Sequence, residues 1–111
     1  MATYSDIFID QGSTYASTID VFDPNGYALN LTGYSARGQI RKTYTSANVI
    51  HFTTNINQPS LGKVNISLTA AQTRAMKPGR YVYNVEVYNS GGYVTRISEG
   101  QVEINPTTIH P

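Results

Sequence analysis

Oxygen-bearing side chains gather near one turn of the chain, where they could bind a cation. Asp20, Asp23 and Asn25 lie close together in the sequence. A calcium site needs about six or more oxygen ligands, and the run from Asp23 to Gly26 is already explained as a turn. The sequence therefore predicts a turn at this point and no metal site.

Histidines and paired carboxylates, which carry out most acid–base chemistry in enzymes, are widely separated here. His51 and His110 have no second ligand at metal-binding spacing. Asp20 and Glu86 could act on a glycosidic bond only if the fold placed them across a cleft, and no feature of the sequence does so. Cysteine is absent, which excludes disulfides and thiolate metal sites. We expect no enzyme activity, no cofactor and no metal.

Tyrosine is abundant, with 9 among the 111 residues. A tyrosine ring can stack on a sugar or fill a pocket of a protein partner, while its hydroxyl forms a hydrogen bond. For any single tyrosine, packing inside the fold is the simpler explanation. Four tyrosines are nevertheless candidates for the surface and for binding a partner: Tyr27, Tyr44, Tyr88 and Tyr93.

The composition indicates a folded chain with a polar, weakly charged surface. Hydrophobic residues make up 40% and charged residues only 14%, with a formal net charge of +1. Disordered segments are richer in charge and poorer in aromatic residues. Basic residues that are scattered singly give no footprint for nucleic acid or an anionic membrane. No signal peptide or membrane-spanning run is recognisable, so we expect one soluble domain made in a cytoplasm.

A long β-hairpin is the clearest structural element. Residues 79–88 are rich in β-branched and aromatic side chains, residues 89–92 supply a turn, and residues 93–104 form a second strand-like run. Apolar side chains occupy the odd positions of the first strand, which therefore face inward. The inward residues of the second strand are also at odd positions, so odd-numbered residues must lie opposite one another. An antiparallel pair allows this only if the loop has an odd number of residues, which predicts a loop at 90–92.

This register has two consequences. It places Glu86 opposite Arg96 on the exposed face, where opposite charges are weakly favourable. Further along, the apolar positions become even at Val102 and Ile104, so one extra residue must be inserted before them. A bulge is built most easily at a glycine, which predicts the bulge at Gly100.

Five more strands and one helical turn are predicted before the hairpin. A helix over Ala70 to Met76 is capped by Thr69 and ended by Pro78-Gly79. Seven short strands separated by turns are typical of an antiparallel sandwich or barrel. The five strands come from runs of alternating or β-branched residues: 4–15 with a break at Gln11-Gly12, 17–22, 34–42, 49–53 and 63–68.

Gly79 and Tyr81 favour an immunoglobulin-like sandwich. They follow a helical turn and open a strand, where such folds have a tyrosine whose hydroxyl bonds to the backbone upstream. Tyr83 stands where antibody domains have a cysteine, so membership of the antibody family proper is not indicated. The predicted fold class is all-β, an immunoglobulin-like antiparallel β-sandwich of about seven strands with one short helical turn.

The chain is predicted to be a single immunoglobulin-like domain over residues 1–111, flanked by polar segments. Residues 1–5 and 105–111 are candidate extended arms, because they are too polar to join the core. Such arms often become ordered only on a partner.

Several stretches resemble small structural proteins of tailed bacteriophages: Leu31–Tyr34, Gln39–Arg41, Val64–Thr73, Pro78–Val85 and Val94–Ile104. The pattern covers most of the chain. It is similar to the N-terminal immunoglobulin-like domain of upper baseplate proteins, and to stand-alone virion proteins of phages that infect marine bacteria and cyanobacteria. The chain departs from this pattern at Asn84, where an Asp is frequent, and no receptor-binding or fibre domain is recognisable after it.

The resemblance implies a non-enzymatic virion structural protein made in the host cytoplasm. It would be an assembly or anchoring module of the tail, baseplate or neck, which binds other virion proteins and can associate with itself in a symmetric assembly. The alternative is a capsid decoration (cement) protein with a carbohydrate-binding adhesion role. Several coplanar exposed tyrosines would favour the carbohydrate role, and carboxylates converging in a cleft would favour a hydrolase. No nucleic-acid or membrane partner is expected.

Overall fold

The computed structural model describes residues 3–109, which form two β-sheets packed face to face. The strands are β1 (Thr3–Tyr4), β2 (Ile7–Asp10), β3 (Tyr15–Asp20), β4 (Tyr34–Arg41), β5 (Val49–His51), β6 (Thr53–Asn55), β7 (Lys63–Leu68), β8 (Gly79–Asn89) and β9 (Val94–Asn105). Helix α1 spans Ala70–Ala75, and a 3-10 turn spans Pro59–Leu61. Among the described residues, neither helix has the length or the apolar composition to cross a membrane.

The larger sheet, here called the front sheet, has β9, β8, β4 and β5 side by side, with β1 and β2 both along the outer edge of β9. The smaller back sheet has the order β3, β7, β6. All pairings are antiparallel except those of β1 and β2 with β9, which are parallel. This is the strand order of an immunoglobulin-like sandwich, in which strands C, F and G form one sheet and strands B, E and D the other. The predicted fold class is confirmed.

Two predicted strands are divided in the structure, which raises the number of strands. The first predicted strand becomes β1 and β2, separated at Ser5-Asp6, with β3 following from Tyr15. The predicted strand at 49–53 becomes β5 in the front sheet and β6 in the back sheet. Between them Phe52 is buried, and its amide donates to the Gly38 carbonyl at 3.0 Å. The chain crosses from one sheet to the other where this ring enters the core.

Alternation along the central strands builds the core. Four odd-numbered residues of β8 are buried, as predicted: Tyr81, Tyr83, Val85 and Val87. Alternate residues of β7 meet them from the back sheet: Val64, Ile66 and Leu68. Full burial of an apolar side chain of this size stabilises a fold by roughly 1.5–3 kcal/mol, so these two strands contribute much of the stability.

The hairpin loop has the predicted length. The Asn89 amide donates to the Tyr93 carbonyl at 3.1 Å, and the Gly92 amide donates back to the Asn89 carbonyl at 3.2 Å. Residues 90–92 therefore form the loop. Gly92 has a φ of 84°, a left-handed conformation that glycine adopts without steric cost. The odd-numbered loop keeps the core-facing residues of both strands on one side.

The predicted register across the hairpin is also present, because Glu86 lies opposite Arg96. The ion pairs differ from this simple pairing. Glu86 accepts a bond from Arg37 on the neighbouring strand β4, and Arg96 lies 3.5 Å from Glu99 on its own strand. These groups are partly exposed, so neither pair adds much stability.

The prediction of a bulge at Gly100 is wrong in position. Val85 lies opposite Ser98 while Glu86 lies opposite Arg96, so the extra residue is Ile97. Ile97 and Ser98 are both buried. The phase of the strand therefore changes at Ile97, upstream of the glycine.

Gly100 has a different role, which is to let the N-terminal segment approach β9. A Cβ atom at this position would lie 2.3 Å from the Ser5 carbonyl oxygen, far inside van der Waals contact. The Ser5 amide donates to the Glu99 carbonyl at 2.8 Å. Only a glycine permits this close passage of one backbone over the other.

The tyrosine corner predicted from Gly79 and Tyr81 has the expected geometry. Gly79 is the first residue of β8, and the Tyr81 hydroxyl donates to the Lys77 carbonyl at 2.8 Å. The helical turn before it is held by a capping box, in which Thr69 and Gln72 each bond to the backbone amide of the other. The corner thereby joins α1 to the central strand.

Tyr83, at the position of the antibody cysteine, joins three parts of the fold through its hydroxyl. It donates to the Ser5 carbonyl and lies 3.0 Å from the Ser98 hydroxyl. Burial raises the pKa of Tyr83, and also those of Tyr15 and Tyr81, above the ordinary value of 10.0. The low-dielectric interior disfavours the phenolate form.

The candidate arms are partly built into the sheets. Thr3 and Tyr4 pair with Ser98 and Glu99, and Asn105 is the last residue of β9. Beyond β9, the Thr107 amide donates to the Gln11 side chain at 3.3 Å. The remaining parts of the arms, 1–2 and 110–111, lie outside the described residues, as does His110.

Replacing Gly100 by Ala is expected to lower the free energy of unfolding by about 1–3 kcal/mol, because the added methyl group must push the Ser5 backbone away from β9. The matched control is Gly91→Ala, whose added Cβ would make an ordinary contact of 3.4 Å with the Asn89 side chain. Denaturant unfolding of both variants measures the difference. Equal effects of the two substitutions would contradict the role given to Gly100.

The raised tyrosine pKa values predict a loss of stability in alkaline solution. The folded state favours neutral Tyr83, so its contribution is complete below the unfolded pKa of 10.0 and is lost as the pH rises through the raised folded value. Melting temperatures measured from about pH 9 to about pH 12 should fall above pH 10.0. The Tyr83→Phe variant should show a shallower fall over the same range, and an identical slope would refute this assignment.

Candidate functional site

The four candidate tyrosines occupy different surfaces. The loop that carries Tyr27 leads into β4, whose first residue pairs with Asn89 beside Tyr93, so Tyr27 and Tyr93 lie at the same end of the sandwich. Tyr44 lies in the turn between β4 and β5 and is 75% exposed. Tyr88 is half-buried, with the Arg37 guanidinium 4.5 Å from its ring centroid. Only the first pair belongs to one region of the surface.

Exposed aromatic rings concentrate at that end, here called the aromatic end: Phe22, Tyr27 and Tyr93. Their side chains are 62%, 74% and 58% exposed. Phe22 and Tyr27 belong to the loop between β3 and β4, and Tyr93 follows the loop between β8 and β9. In immunoglobulin variable domains the corresponding two loops carry part of the antigen-binding surface.

The loop between β3 and β4 begins with a small, tightly bonded hairpin. Phe22 pairs with Ala28, and the Asp23 amide donates to the Tyr27 carbonyl at 2.7 Å. The Asp23 carboxylate accepts from the amides of Asn25 and Tyr27 at 2.9 and 3.0 Å. This carboxylate is used to hold the turn, as the sequence predicts, and it holds the backbone from which the two rings project.

Tyr93 is held by its neighbours on the other loop. The Asn89 side-chain oxygen accepts from the amides of Gly91 and Tyr93 at 3.0 and 3.1 Å. The Tyr93 ring packs edge-on against Tyr34, with centroids 6.3 Å apart and an interplanar angle of 89°. Edge-to-face contact of this kind is a favourable aromatic geometry, so the ring is positioned although one face remains open.

An open cleft of about 470 Å³ lies between the two loops. Its apolar lining comes from both sides: Phe22, Pro24 and Leu29 from the first loop, and Tyr93 and Ile97 from the hairpin of β8 and β9. Asp20 and Asp23 lie at its margin. The lining is mixed, with apolar and polar side chains in similar proportion, and the exposed rings of Phe22 and Tyr93 are available to a partner surface.

Asp20 and Glu86, considered above as a metal ligand or as catalytic groups, form ion pairs with basic residues. Asp20 forms an ion pair with Lys63 at 2.7 Å on the outer face of the back sheet. Glu86 bonds to Arg37 on the outer face of the front sheet. Asp20 and Glu86 therefore project from opposite sides of the sandwich and cannot flank one bond. Within residues 3–109 no three His, Cys, Asp or Glu side chains lie together as a metal site would require.

Sequence reasoning missed Phe22 as a surface residue, because it was assigned to the end of a predicted strand. The strand in fact ends at Asp20, and Phe22 starts the hairpin that follows. Its place directly before the Asp-Pro-Asn-Gly turn was the available signal. Tyr4 and Phe8, each 65% exposed on the edge of the front sheet, were missed as well, since the isolated sequence does not show which strand forms an edge.

No family model and no curated protein matches this chain. Among solved structures, an internalin-like protein of Listeria monocytogenes is similar over 94% of this chain and 28% of its own, with 16% identity and a TM-score of 0.47. Tim-1 is similar over 100% of both chains, with 12% identity and a TM-score of 0.45.

A family 123 glycoside hydrolase from Clostridium perfringens is similar over 97% of this chain and 23% of its own, with 13% identity and a TM-score of 0.42. The chain thus spans about a quarter of the length of two of these three proteins. Similarity at this level says nothing about what the chain binds.

Proposed function

We propose that this chain is a non-enzymatic structural component of a tailed bacteriophage virion, where it serves as an assembly or anchoring module. The observation that carries the proposal is the aromatic end, where Phe22, Tyr27 and Tyr93 stand exposed on two bonded loops. The resemblance to phage structural proteins supplies the context. The partner of the aromatic end is then a neighbouring virion protein.

The physical chemistry of the aromatic end suits a protein partner. Aromatic residues are enriched at the centres of protein interfaces, where charged residues are depleted. The side-chain oxygens of Asp23 and Asn89 accept hydrogen bonds from backbone amides and hold both loops before any partner arrives. A preorganised surface loses less conformational entropy on binding, which favours association through a small contact.

A symmetric particle multiplies such contacts. Each copy needs only a modest affinity, because many equivalent contacts form together in a ring or shell. With a formal net charge of +1, copies do not repel one another strongly at close range. Tail, baseplate and neck are the proposed locations, and the capsid surface is the alternative.

The arrangement of tyrosines does not favour the carbohydrate-binding alternative. A sugar platform would place several tyrosines coplanar on one exposed face, whereas Tyr44 lies in the turn between β4 and β5 and Tyr88 lies on the outer face of the front sheet. Tyr88 is further covered by Arg37. Phe22 and Tyr93 line a cleft between loops rather than a sheet face.

Changing Phe22 and Tyr27 to Ser should reduce incorporation into particles without unfolding the chain. Loss of two exposed anchor residues is expected to weaken binding by about 2 kcal/mol or more, roughly thirtyfold. The test is quantitative mass spectrometry of purified particles from the phage that encodes the chain, together with thermal unfolding of the isolated variant.

The matched control is Tyr44→Ser, which removes an equally exposed ring from a different surface. It should leave incorporation unchanged. Absence of the wild-type chain from purified particles would refute the virion role. Normal incorporation of the double variant would refute the assignment of the docking surface.

A further inference from the structure

The outer edge of β3 has no paired strand among residues 3–109. The back sheet has the order β3, β7, β6, so β3 pairs with β7 on one side only. In constant-type immunoglobulin domains the corresponding strand B has strand A beside it. Here the N-terminal segment pairs with β9 in the front sheet instead.

The core is open along this edge. The residues of β3 that point between the sheets are only half-buried at Tyr15 and Ile19, and Ser17 is exposed. By contrast, Ile66 on the adjacent strand is 2% exposed. A groove of about 220 Å³ runs between β3 and the first two strands, and Ile66 and Tyr83 form part of its lining.

The backbone of β3 presents free hydrogen-bonding groups in a regular pattern. The Val21 amide donates to the Gly62 carbonyl at 2.7 Å, toward the side of β7. In an antiparallel pair the direction of these groups alternates from one residue to the next. The amides and carbonyls of Ala16, Thr18 and Asp20 therefore point away from β7, into the open edge.

This edge has few of the features by which proteins prevent strand pairing, and its one charged side chain, Asp20, is already paired with Lys63. β3 is 6 residues long, whereas the other strands at sheet edges have between 2 and 4. It contains no proline or lysine, and its register with β7 is regular throughout. Long, flat edges without such protection pair readily with another strand.

We propose that β3 pairs antiparallel with β3 of a second copy of this chain, about a twofold axis at Thr18. The outward-pointing groups are symmetric about this residue. Thr18 then lies opposite Thr18 of the second copy, and Ala16 lies opposite Asp20. The two back sheets join into one continuous sheet across the dimer.

The side chains fit a second copy in this register. Opposed threonines are a favourable cross-strand pair. Asp20 meets an alanine rather than another carboxylate, and its own charge is already paired with Lys63. Ser17 lies opposite Ile19 of the second copy, so each copy covers the open groove of the other with an apolar side chain. This is the reciprocal pattern that a twofold interface requires.

The dimer goes beyond the docking role proposed above, because it uses the edge of β3, which meets the cleft of the aromatic end only at Asp20, and it forms in the isolated chain. Sedimentation velocity of the full 111-residue chain over a range of concentrations tests it. The wild-type chain should sediment as a monomer–dimer equilibrium with no other virion protein present.

Two substitutions, Thr18→Pro and Ser17→Lys, should weaken the pairing of β3 by different physical effects. Thr18→Pro removes the central outward amide, and we expect it to raise the dimer Kd by roughly tenfold or more. Thr18→Val is its control, because both lose the 2.8 Å bond from Thr18 to Asn65 while only Val keeps the amide. Ser17→Lys places a charge in the groove, and Asn55→Lys adds the same charge to an exposed position on β6.

The proposal requires that Thr18→Pro and Ser17→Lys weaken the dimer while Thr18→Val and Asn55→Lys retain it. Circular dichroism verifies that each variant is folded, and Ser17→Lys decides the question if Thr18→Pro does not fold. A wild-type chain that stays monomeric at every concentration overturns the proposal. So does a dimer that survives Ser17→Lys, or one that the control variants abolish equally.

Discussion

The pairing of residues 3–10 with β9 is the contact on which the rest of the sandwich depends. It requires the missing side chain of Gly100, over which the Ser5 backbone passes, and it is fixed by the Tyr83 hydroxyl on the Ser5 carbonyl. The pairing carries Ile7 and Ile9 into the core, where they are 8% and 2% exposed. Because the N-terminal segment pairs with β9 in the front sheet, no strand in the described part of the chain pairs with the outer edge of β3 in the back sheet.

The parts of the fold that the sequence predicts well are those set by local alternation. The hairpin register and the cap at Thr69 follow from neighbouring residues, and both are present. The position of the bulge does not follow from local signals, because it lies at Ile97 although Gly100 is the easier place to build one. The change of phase shows only that a residue is inserted before Val102. The need for a glycine at position 100 comes from the Ser5 backbone, which is distant in the sequence and passes directly over it.

The candidate site shows the same division between local and distant information. Tyr27 and Tyr93 are recognisable as surface candidates, but their loops are far apart in the sequence and meet only through the order of the strands. Alternation correctly predicts that Tyr88 lies on the outer face of the front sheet, but it does not predict that Arg37 from β4 covers the ring. The sheet crossing at Phe52 could not be predicted either, because alternation continues through it without interruption.

The aromatic end and the edge of β3 are two surfaces of one small module, and the claim that matters most is that the first docks on a virion protein. Cryo-electron density of the phage particle, with this chain located in it, tests that claim most directly. We expect the rings of Phe22, Tyr27 and Tyr93 to be covered by a neighbouring subunit at symmetric positions. Density in which the aromatic end faces solvent, or a particle that lacks the chain, would contradict it.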